Sequence, residues 1–313
     1  SSGSFCLFRA RVAHIDMTNP HTTVVIATRN RRESLLRTLD RLATVSGCPP
    51  VMVVDNGSTD GVVDEVRLAF PGVEVIAAGR NLGAPARTLG VARASTPYVA
   101  FSDDDSWWGA GALDRAAAAM DAHARLGLVA ARIEVGPRKV LDPVCEDMAS
   151  SPLPGDPGLP GRPVLGFVAC GAVVRKTAYL EVGGFSDLLF FFGEERLFAI
   201  DMTQAGWDLR YIDDVVAHHH PHPRGDHGSR RRQATRNDLL SDWMRRRPRS
   251  ALRASVRAIG SAARDTDVRK GIGDALAALP EAMRQRRVIS VNLDRQLSML
   301  ESRHARPIPV SEA

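Results

Sequence analysis

The fold is decided by residues 22–55, which read TTVVIATRNRRESLLRTLDRLATVSGCPPVMVVD. Residues 22–28 are a largely β-branched run, too continuous to be half-exposed, so they predict a buried strand. The helix that follows carries three leucines at the spacing i, i+4, i+7: Leu35, Leu39 and Leu42. Residues 51–54 predict a second buried strand, which stops at the turn-forming residues that begin with Asp55. Strand, helix and strand in this order are typical of a parallel α/β sheet.

The same alternation continues along the first half of the chain. A helix is predicted over residues 60–69, a strand over 73–76, a helix after Gly83 and a strand over 98–102. The predicted fold class is therefore α/β, with a mixed, mainly parallel sheet flanked by helices. In such sheets ligands bind beyond the carboxyl ends of the strands.

Polar residues follow three of these strands at that edge: Thr28, Arg29, Asn30, Asp55, Asp103, Asp104 and Asp105. Three adjacent carboxylates repel one another and resist burial unless a positive charge holds them together. Oxygen ligands of this kind suit Mg²⁺ or Mn²⁺, which keep water or substrate phosphate in their remaining positions. A solvated acidic turn that caps the following helix is the alternative interpretation of the triplet.

The composition is that of an ordinary soluble globular protein, with 313 residues, 44% hydrophobic and 25% charged. No segment approaches the roughly 18 uncharged residues that a membrane-spanning helix needs. The four cysteines are scattered, without a CxxC pair: Cys6, Cys48, Cys145 and Cys170. This usage disfavours a zinc ribbon or a disulfide scaffold and is typical of a reducing cytoplasm, and residues 1–15 do not resemble a signal peptide.

The second half has weaker signals. Residues 136–163 are rich in proline and glycine and predict a long loop over the edge of the sheet. The apolar residues 164–174 are expected to resume the sheet. A further strand over residues 208–217 leads into a run of histidines, and the pattern over residues 234–303 is helical.

The net charge of +5 is concentrated in residues 224–257, which contain eleven arginines. Such a block could contact anionic lipid headgroups or a phosphorylated substrate, or its arginines could be solvated on helical surfaces. Few aromatic residues lie among them, and no nucleic-acid-binding motif accompanies them, so we expect no nucleic-acid partner.

The ordered motifs of the chain closely resemble those of the family 2 glycosyltransferases. They are IATRNR at residues 26–31, VVDNGSTD at 53–60, NLG at 81–83, AR at 86–87, DDD at 103–105 and GEE at 193–195. The resemblance covers about residues 20–222 and implies the GT-A fold. It also implies an inverting transfer from a nucleoside diphosphate sugar to an acceptor hydroxyl, helped by a divalent cation, Mn²⁺ or Mg²⁺.

The resemblance divides the chain into functional parts. Residues 20–135 would form the nucleotide-sugar-binding half of the GT-A domain, and residues 136–233 the acceptor-binding half with the catalytic base. Residues 234–313 would form a helical C-terminal extension, and residues 1–19 are expected to be a tag or disordered.

On the nucleotide side, the resemblance assigns donor contacts to Ala27, Thr28, Arg29 and Asp55. The carboxylate of Asp55 could accept the imide N–H of uracil, so a UDP-sugar is the favoured donor. A turn residue is the alternative role for Asp55.

The triplet matches the family's DxD pattern through Asp103 and Asp105. Asp105 would hold the cation on the diphosphate, while Asp103 and Asp104 would meet the ribose or the sugar. Arg87 would support the charge of the leaving diphosphate, whose neutralisation is the main catalytic demand of the reaction; a surface arginine is the alternative.

Inversion requires a base on the face of the sugar opposite the leaving group. Glu194 and Glu195 match the family's Glu-Asp pair, whose second member serves as base, so Glu195 is the predicted base. Glu194 could orient the acceptor or stabilise the N-terminus of its helix. A histidine after the last strand binds the metal in many GT-A enzymes, which makes His218 or His220 a candidate ligand; a structural role is the alternative.

Two other functions compete with this prediction. A sugar nucleotidyltransferase shares the fold type and a carboxylate-held metal, but would normally carry a glycine-rich loop after the first strand, where residues 28–31 have no glycine. A non-catalytic module that binds nucleotide sugars or anions would have no need of the two glutamates at 194–195.

Overall fold

The structure is a computed structural model that describes residues 21–45, 48–221 and 227–304. The first half alternates strands with helices in the predicted order. These elements are β1 (Thr22–Thr28), α1 (Arg32–Leu42), β2 (Val51–Asp55), α2 (Val62–Ala69), β3 (Glu74–Ala77), α3 (Ala86–Arg93), β4 (Tyr98–Ser102), β5 (Ser106–Trp108) and α4 (Ala112–Ala122).

The second half completes the sheet and then becomes helical. Its elements are β6 (Leu126–Val135), β7 (Val140–Leu141), α5 (Pro143–Ala149), β8 (Arg162–Pro163), β9 (Ala172–Arg175), α6 (Lys176–Glu181), α7 (Glu194–Gln204), β10 (Asp208–His219), α8 (His227–Arg245), α9 (Pro248–Ala262), α10 (Thr266–Arg284) and α11 (Val291–His304). None of the helices in the described residues is long and apolar enough to cross a lipid bilayer.

One ten-stranded sheet runs through the molecule in the order β3-β2-β1-β4-β9-β6-β10-β5, with β7 beside β6 and β8 beside β10. Strands β1 to β4 pair in parallel, as do β6 and β10, while β9 lies antiparallel between β4 and β6. Six of the ten described strands therefore run in one direction. The predicted α/β fold with a mixed, mainly parallel sheet is confirmed.

Both faces of the sheet are covered, which explains the continuous apolar strands. Successive side chains of a strand point to opposite faces. In β1, Val25 joins the core cluster on one face, and its neighbours Val24 and Ile26 join the cluster on the other, all at 0% exposure. An unbroken β-branched run is the expected sequence of a strand that is buried on both of its faces.

The C-terminal helices pack against α7 rather than standing apart. Leu189 and Leu197 share one apolar cluster with Leu239, Leu240 and Met244 of α8. Because α7 begins with the two candidate catalytic glutamates, this packing connects the helical extension to the site.

Two segments differ from their predictions. The expected loop over residues 136–163 contains the helix α5 and two short strands, because Asp142 caps α5 by accepting the N–H of Val144 and Pro143 stands at its first turn. Of the expected strand over residues 164–174, only the last part joins the sheet as β9. The residues before it are apolar because they pack into core clusters: Val164, Leu165 and Phe167.

The sequence interpretation also assigned no element to residues 126–135. They form β6, a central strand between β9 and β10. The expected helical pattern over residues 234–303 is confirmed as α8 to α11, with α8 beginning earlier, at His227.

Candidate active site

The carboxyl ends of β1, β2 and β4 meet at one edge of the sheet. The register pairs Thr28 with Asp55, and Ile26 with Ser102, so the triplet at residues 103–105 follows directly at that edge. A cavity of about 440 Å³ opens there, and Asp103 and Asp104 are among the residues that line it. The polar clusters predicted to converge therefore lie together.

The acidic triplet is held by cations and hydroxyls instead of being solvated. Arg31 contacts Asp104 at 3.3 Å through Nε and Asp105 at 3.2 Å through Nη2. Thr28 donates its hydroxyl to the Asp104 carboxylate at 3.2 Å. Burial, followed by the charge of Asp105, raises the pKa of Asp104 to about 6 even though Arg31 opposes the shift.

Asp103 belongs to a second ion pair, with Arg87 in the first turn of α3. The guanidinium is 4% exposed and donates from Nη2 to Oδ1 of Asp103. Burial alone would lower the pKa of Arg87, but the fields of Asp103, Glu194 and Glu195 raise it. The Arg87 charge is therefore shared between the triplet and the two glutamates.

The turn before α3 requires glycine at residue 83. Gly83 has φ +69°, and an added Cβ would lie 2.3 Å from the carbonyl oxygen of Phe190. The backbone N–H of Ala84 donates to that same oxygen at 2.7 Å. The NLG motif thus brings the start of α3 against the segment that precedes α7.

His219 is the histidine that faces the triplet. Its Nε2 lies 3.3 Å from Oδ1 of Asp105. β5 pairs antiparallel with the end of β10 and sets His219 opposite Ser106, the residue that follows Asp105. His220 donates its backbone N–H to the carbonyl oxygen of Asp105 at 2.8 Å.

The two predicted histidines have different surroundings. The ring centroid of His218 lies 5.5 Å from that of Trp107, and the ring centroid of His220 lies 4.6 Å from it. Nδ1 of His218 also lies 3.3 Å from Oε2 of Glu134. Because alternate residues of a strand face opposite sides, His219 points away from these two and toward the carboxylates. The structure favours His219 over His218 and His220 as the imidazole near the triplet.

The residues present fit a divalent cation. One ligand atom each from Asp103, Cys170 and His219 lies within 4.8 Å of the others, and Asp105 lies beside His219. Burial raises the pKa of the Cys170 thiol well above its ordinary value, so this sulfur remains protonated and is a poor ligand for a hard cation. The carboxylates and the imidazole form the donor set that suits Mn²⁺ or Mg²⁺.

The glutamate pair opens α7, after Gly193 in a left-handed conformation with φ +83°. Glu194 is 2% exposed, and its Oε2 has no hydrogen-bond partner among the described residues. Burial raises the pKa values of both carboxyl groups, and the repulsion between the two charges adds to the increase at Glu194. Arg87 lowers both pKa values and so counteracts part of the burial.

A wall of the cavity comes from the segment just before α7. Phe190 and Phe192 both have positive φ, at 63° and 65°. Asn237 of α8 is fully buried and its amide donates to the carbonyls of Leu189 and Phe191, each at 2.8 Å, and of Phe192. The strained wall segment is therefore held by a side chain of the helical extension.

The cavity also receives a cation from the same helix, α8. Arg230 of α8 lines it and lies over the Phe192 ring at 5.6 Å from the centroid. At the opposite wall Ala27, Thr28 and Arg29 reach the cavity from the end of β1. Asp55 is 5% exposed and is not among the residues that line the cavity, although its neighbour Asn56 is. Both of its carboxylate oxygens accept the N–H of Ser58, at 3.1 and 3.2 Å.

The sequence profile of a known family, described as glycosyl transferase family 2, matches residues 23–183, just over half of the chain. The chain belongs to this family. It is therefore a glycosyltransferase, and the resemblance drawn from the motifs is confirmed. The alternatives of a nucleotidyltransferase and of a non-catalytic module are set aside.

A named relative comes from Mycobacterium tuberculosis. Its N-acetylglucosaminyl-diphospho-decaprenol L-rhamnosyltransferase is 27% identical over 275 residues, which cover 74% of this chain and 89% of the relative.

Solved structures share the fold at low identity. Mannosyltransferase PcManGT from Pyrobaculum calidifontis, solved with GDP-Man and Mn²⁺, superposes with a TM-score of 0.56 at 20% identity, over 97% of this chain and 81% of that one. TarS 1–349 from S. aureus with UDP-GlcNAc gives 0.57 at 15% identity, over 90% and 91%. The chain spans 39% of the longer TarS structure. These likenesses establish the GT-A architecture.

The sequence interpretation missed three residues of the site. Arg31 lay within a quoted motif but received no role, although it binds two members of the triplet. His219 lies between the two predicted histidines, and the alternation of a strand places it on the face opposite to theirs. Asn237 gave no signal, since nothing local in α8 shows that its amide reaches a loop more than forty residues earlier.

Proposed function

We propose that this glycosyltransferase inverts the anomeric configuration, using a nucleoside diphosphate sugar as donor, a divalent cation and Glu195 as general base. One observation carries the proposal. The charge of Arg87 acts on Asp103 and on both glutamates, so the candidate cation site and the candidate base belong to one electrostatic cluster. An inverting displacement needs its leaving group and its base near the same sugar carbon.

In the proposed reaction the acceptor oxygen forms a bond to the anomeric carbon while the bond from that carbon to the diphosphate oxygen breaks. The electron pair of the broken bond leaves with the diphosphate. Glu195 receives the proton of the acceptor hydroxyl, and its pKa, raised by burial, makes it a better proton acceptor than an ordinary carboxylate. Arg87 contributes positive charge on the side of the leaving group.

Asp105 and His219, with Asp103, would hold the cation. The cation would supply neutralisation of the diphosphate charge. Asp105→Ala should abolish Mn²⁺-dependent binding of nucleoside diphosphate, because a hard cation loses an oxygen ligand. Calorimetry of UDP with and without Mn²⁺ measures this. His219→Ala should weaken the same dependence and His218→Ala should not; the reverse order would return the ligand role to His218.

The base is tested by comparing two matched variants. Glu195→Gln preserves shape and should lower the transfer rate by roughly 10²–10⁴-fold while leaving UDP affinity unchanged. Glu194→Gln should cost less, because that carboxyl is proposed to orient the acceptor or stabilise the helix N-terminus. If Glu194→Gln loses transfer while Glu195→Gln keeps it, the two roles are exchanged. If neither variant loses transfer, the inverting mechanism is wrong.

We propose a UDP-sugar as the donor, because Asp55 ends β2 between the cavity-lining residues Thr28 and Asn56, and its carboxylate could accept the imide N–H of uracil. The solved relatives with UDP-GlcNAc and GDP-Man show that the architecture accommodates either base in other proteins. Competition between UDP and GDP in the presence of Mn²⁺ decides the point. Clearly tighter binding of GDP would overturn the role of Asp55.

The acceptor we propose is a hydroxyl on a sugar carried by a lipid-linked diphosphate, by analogy with the relative named for its N-acetylglucosaminyl-diphospho-decaprenol substrate. The scattered cysteines favour the cytoplasm as its compartment. Such an acceptor lies at a membrane surface, which would give the arginine-rich C-terminal region a peripheral lipid contact.

A further inference from the structure

Helix α9 buries its small residues and exposes its large apolar residues, the reverse of the usual arrangement. Its buried residues are alanines: Ala251, Ala254 and Ala262. Its large apolar side chains point outward, with Leu252 at 58%, Val256 at 61% and Ile259 at 61% exposure. A surface helix normally turns its large apolar residues to the core. These three stand at the spacing i, i+4, i+7 and so form one exposed stripe on the helix, the α9 stripe.

The stripe is bordered by positive charge. Arg249, Arg253 and Arg257 follow one another at intervals of four residues, and so run along one side of it. Residues 243–264 contain no aspartate or glutamate. Arg257 is paired with Glu301, whereas Arg249 and Arg253 have no ion-pair partner within 4 Å among the described residues.

Four other arginines of the block form ion pairs with carboxylates of the same chain. Arg231 pairs with Asp265, Arg232 with Asp274 and Arg245 with Asp201. Arg246, at 1% exposure, pairs with Asp294. Arg249 and Arg253 therefore leave positive charge beside the α9 stripe for an outside partner.

We propose that the α9 stripe, with Arg249 and Arg253, is the surface by which this protein adsorbs to an anionic lipid bilayer. Large apolar side chains next to arginines are the pattern of a helix that lies in the membrane interface. The stripe would enter the boundary between headgroups and acyl chains, and the arginines would meet lipid phosphates. This inference rests on the proposed function in one respect: adsorption to the membrane would bring the cavity to a lipid-linked acceptor.

The test is cosedimentation of the full chain with vesicles of phosphatidylcholine, with and without phosphatidylglycerol. The chain should bind the anionic vesicles, and binding should weaken as salt is raised. Replacing Leu252, Val256 and Ile259 together by serine should weaken binding by at least ~10-fold. Arg249→Gln with Arg253→Gln should remove most of the difference between anionic and neutral vesicles.

Leu68→Ser is the matched control, because Leu68 is 85% exposed on α2, a helix that carries Asp64 and Glu65. This variant should bind vesicles as the unmodified chain does. All variants change exposed side chains and should keep the melting temperature and UDP binding. If an altered stripe is poorly folded, the milder triple replacement by alanine should show the same loss of vesicle binding.

Two results would overturn the proposal. The first is unchanged vesicle binding after the stripe is replaced, or none by the unmodified chain. The second is a dimer, seen without lipid in sedimentation equilibrium, that disappears when the stripe is replaced, since the stripe would then join two copies. UDP binding and sugar transfer to a water-soluble acceptor are measured separately, so failure of this proposal leaves the proposed function standing.

Discussion

Arg87 is the residue on which the charge balance of the site depends. Burial raises the pKa of Glu195, and the positive charge of Arg87 lowers it. A general base acts in its deprotonated form, so kcat/KM should rise with pH through the pKa of this carboxyl. Without Arg87 the pKa of Glu195 should rise further, and the acid limb of the profile should move to higher pH.

Arg87→Gln is therefore expected to shift the acid limb upward and to reduce kcat/KM at neutral pH by at least ~10-fold. Arg87→Lys keeps a positive charge and should keep the limb near its original place. The profile is measured well below each variant's melting temperature, because the lost ion pair with Asp103 also costs stability. An unshifted limb in Arg87→Gln would show that the limb does not report Glu195.

At the residue scale, the sequence predicted which kinds of residue form the site, but not which way each side chain faces. The run of three aspartates indicated that positive charge had to lie nearby, and Arg31 and Arg87 supply it. Which of three consecutive histidines faces the triplet depends on the register between β5 and β10. A shift of one residue would turn His219 away and bring its neighbours in, and no local pattern fixes that register.

At the scale of elements, the ion pairs of α8 and α9 show why an arginine block need not be solvated. Nε of Arg246 lies 2.7 Å from Oδ1 of Asp294, and its Nη2 donates to the hydroxyl of Ser298 at 2.8 Å. The alternative that the arginines of residues 224–257 are solvated on helical surfaces is wrong for Arg246, which is 1% exposed. Charges can be buried when partners from distant helices satisfy them.

Arg246→Met should lower the free energy of unfolding by about 3–5 kcal/mol, because it leaves Asp294 buried without its cation. Urea denaturation measures the loss. The control is Arg231→Gln, which breaks an exposed pair with Asp265 and should leave the urea midpoint unchanged. Arg246→Met combined with Asp294→Leu should recover much of the stability, and failure to do so would mean that packing, not charge, dominates at this position.

The loss should also depend on pH. Burial alone would raise the pKa of Asp294, but hydrogen bonds from Arg246 and Ser250 lower it. A lowered pKa contributes stability that is present above the ordinary aspartate range and is lost as the pH falls. The difference between the original chain and Arg246→Met should therefore shrink in acid.

Elements with a clear local sequence pattern were predictable, and those that depend on distant partners were not. β1 and β2 have continuous apolar stretches, Val24–Ala27 and Val51–Val54, because both faces of the sheet are covered, so each strand could be identified alone. Residues 164–167 are just as apolar, yet they pack as irregular chain. A continuous apolar run indicates only that its residues are buried. It therefore does not distinguish the strands β1 and β2 from the irregular residues 164–167.

At the scale of the whole molecule, helix α8, which leads into the helical extension, completes the cavity at the edge of the sheet. Arg230 of α8 lines it, and Asn237 of the same helix holds the wall segment at residues 190–192. The sequence marked the extension only as a helical pattern beyond the family motifs. Its part in the site follows from the way α8 packs on α7, which no local pattern could indicate.

Asn237→Leu tests this dependence. It keeps the volume of the side chain nearly constant but removes the amide that donates to three backbone carbonyls. The carbonyls of Phe191 and Phe192 would lose this donor, while that of Leu189 keeps the N–H of Phe191. The positive φ angles of Phe190 and Phe192 should relax, and the wall that precedes Glu195 should shift. Small misplacements of a catalytic group are costly, so kcat/KM should fall by about 10–100-fold.

The measurement must separate an effect on the position of the cavity wall from an effect on folding stability. Asn237→Leu should lose about 1–3 kcal/mol of folding stability, so kinetics are recorded at a temperature where the variant is fully folded. The control is Arg232→Gln, a change on α8, the helix that also carries Asn237. It breaks an exposed pair with Asp274 of α10 and should keep kcat/KM. If Asn237→Leu is destabilised but transfers sugar at the original rate, the extension does not position the wall of the cavity, and α8 to α11 serve the GT-A domain only as a packed cover.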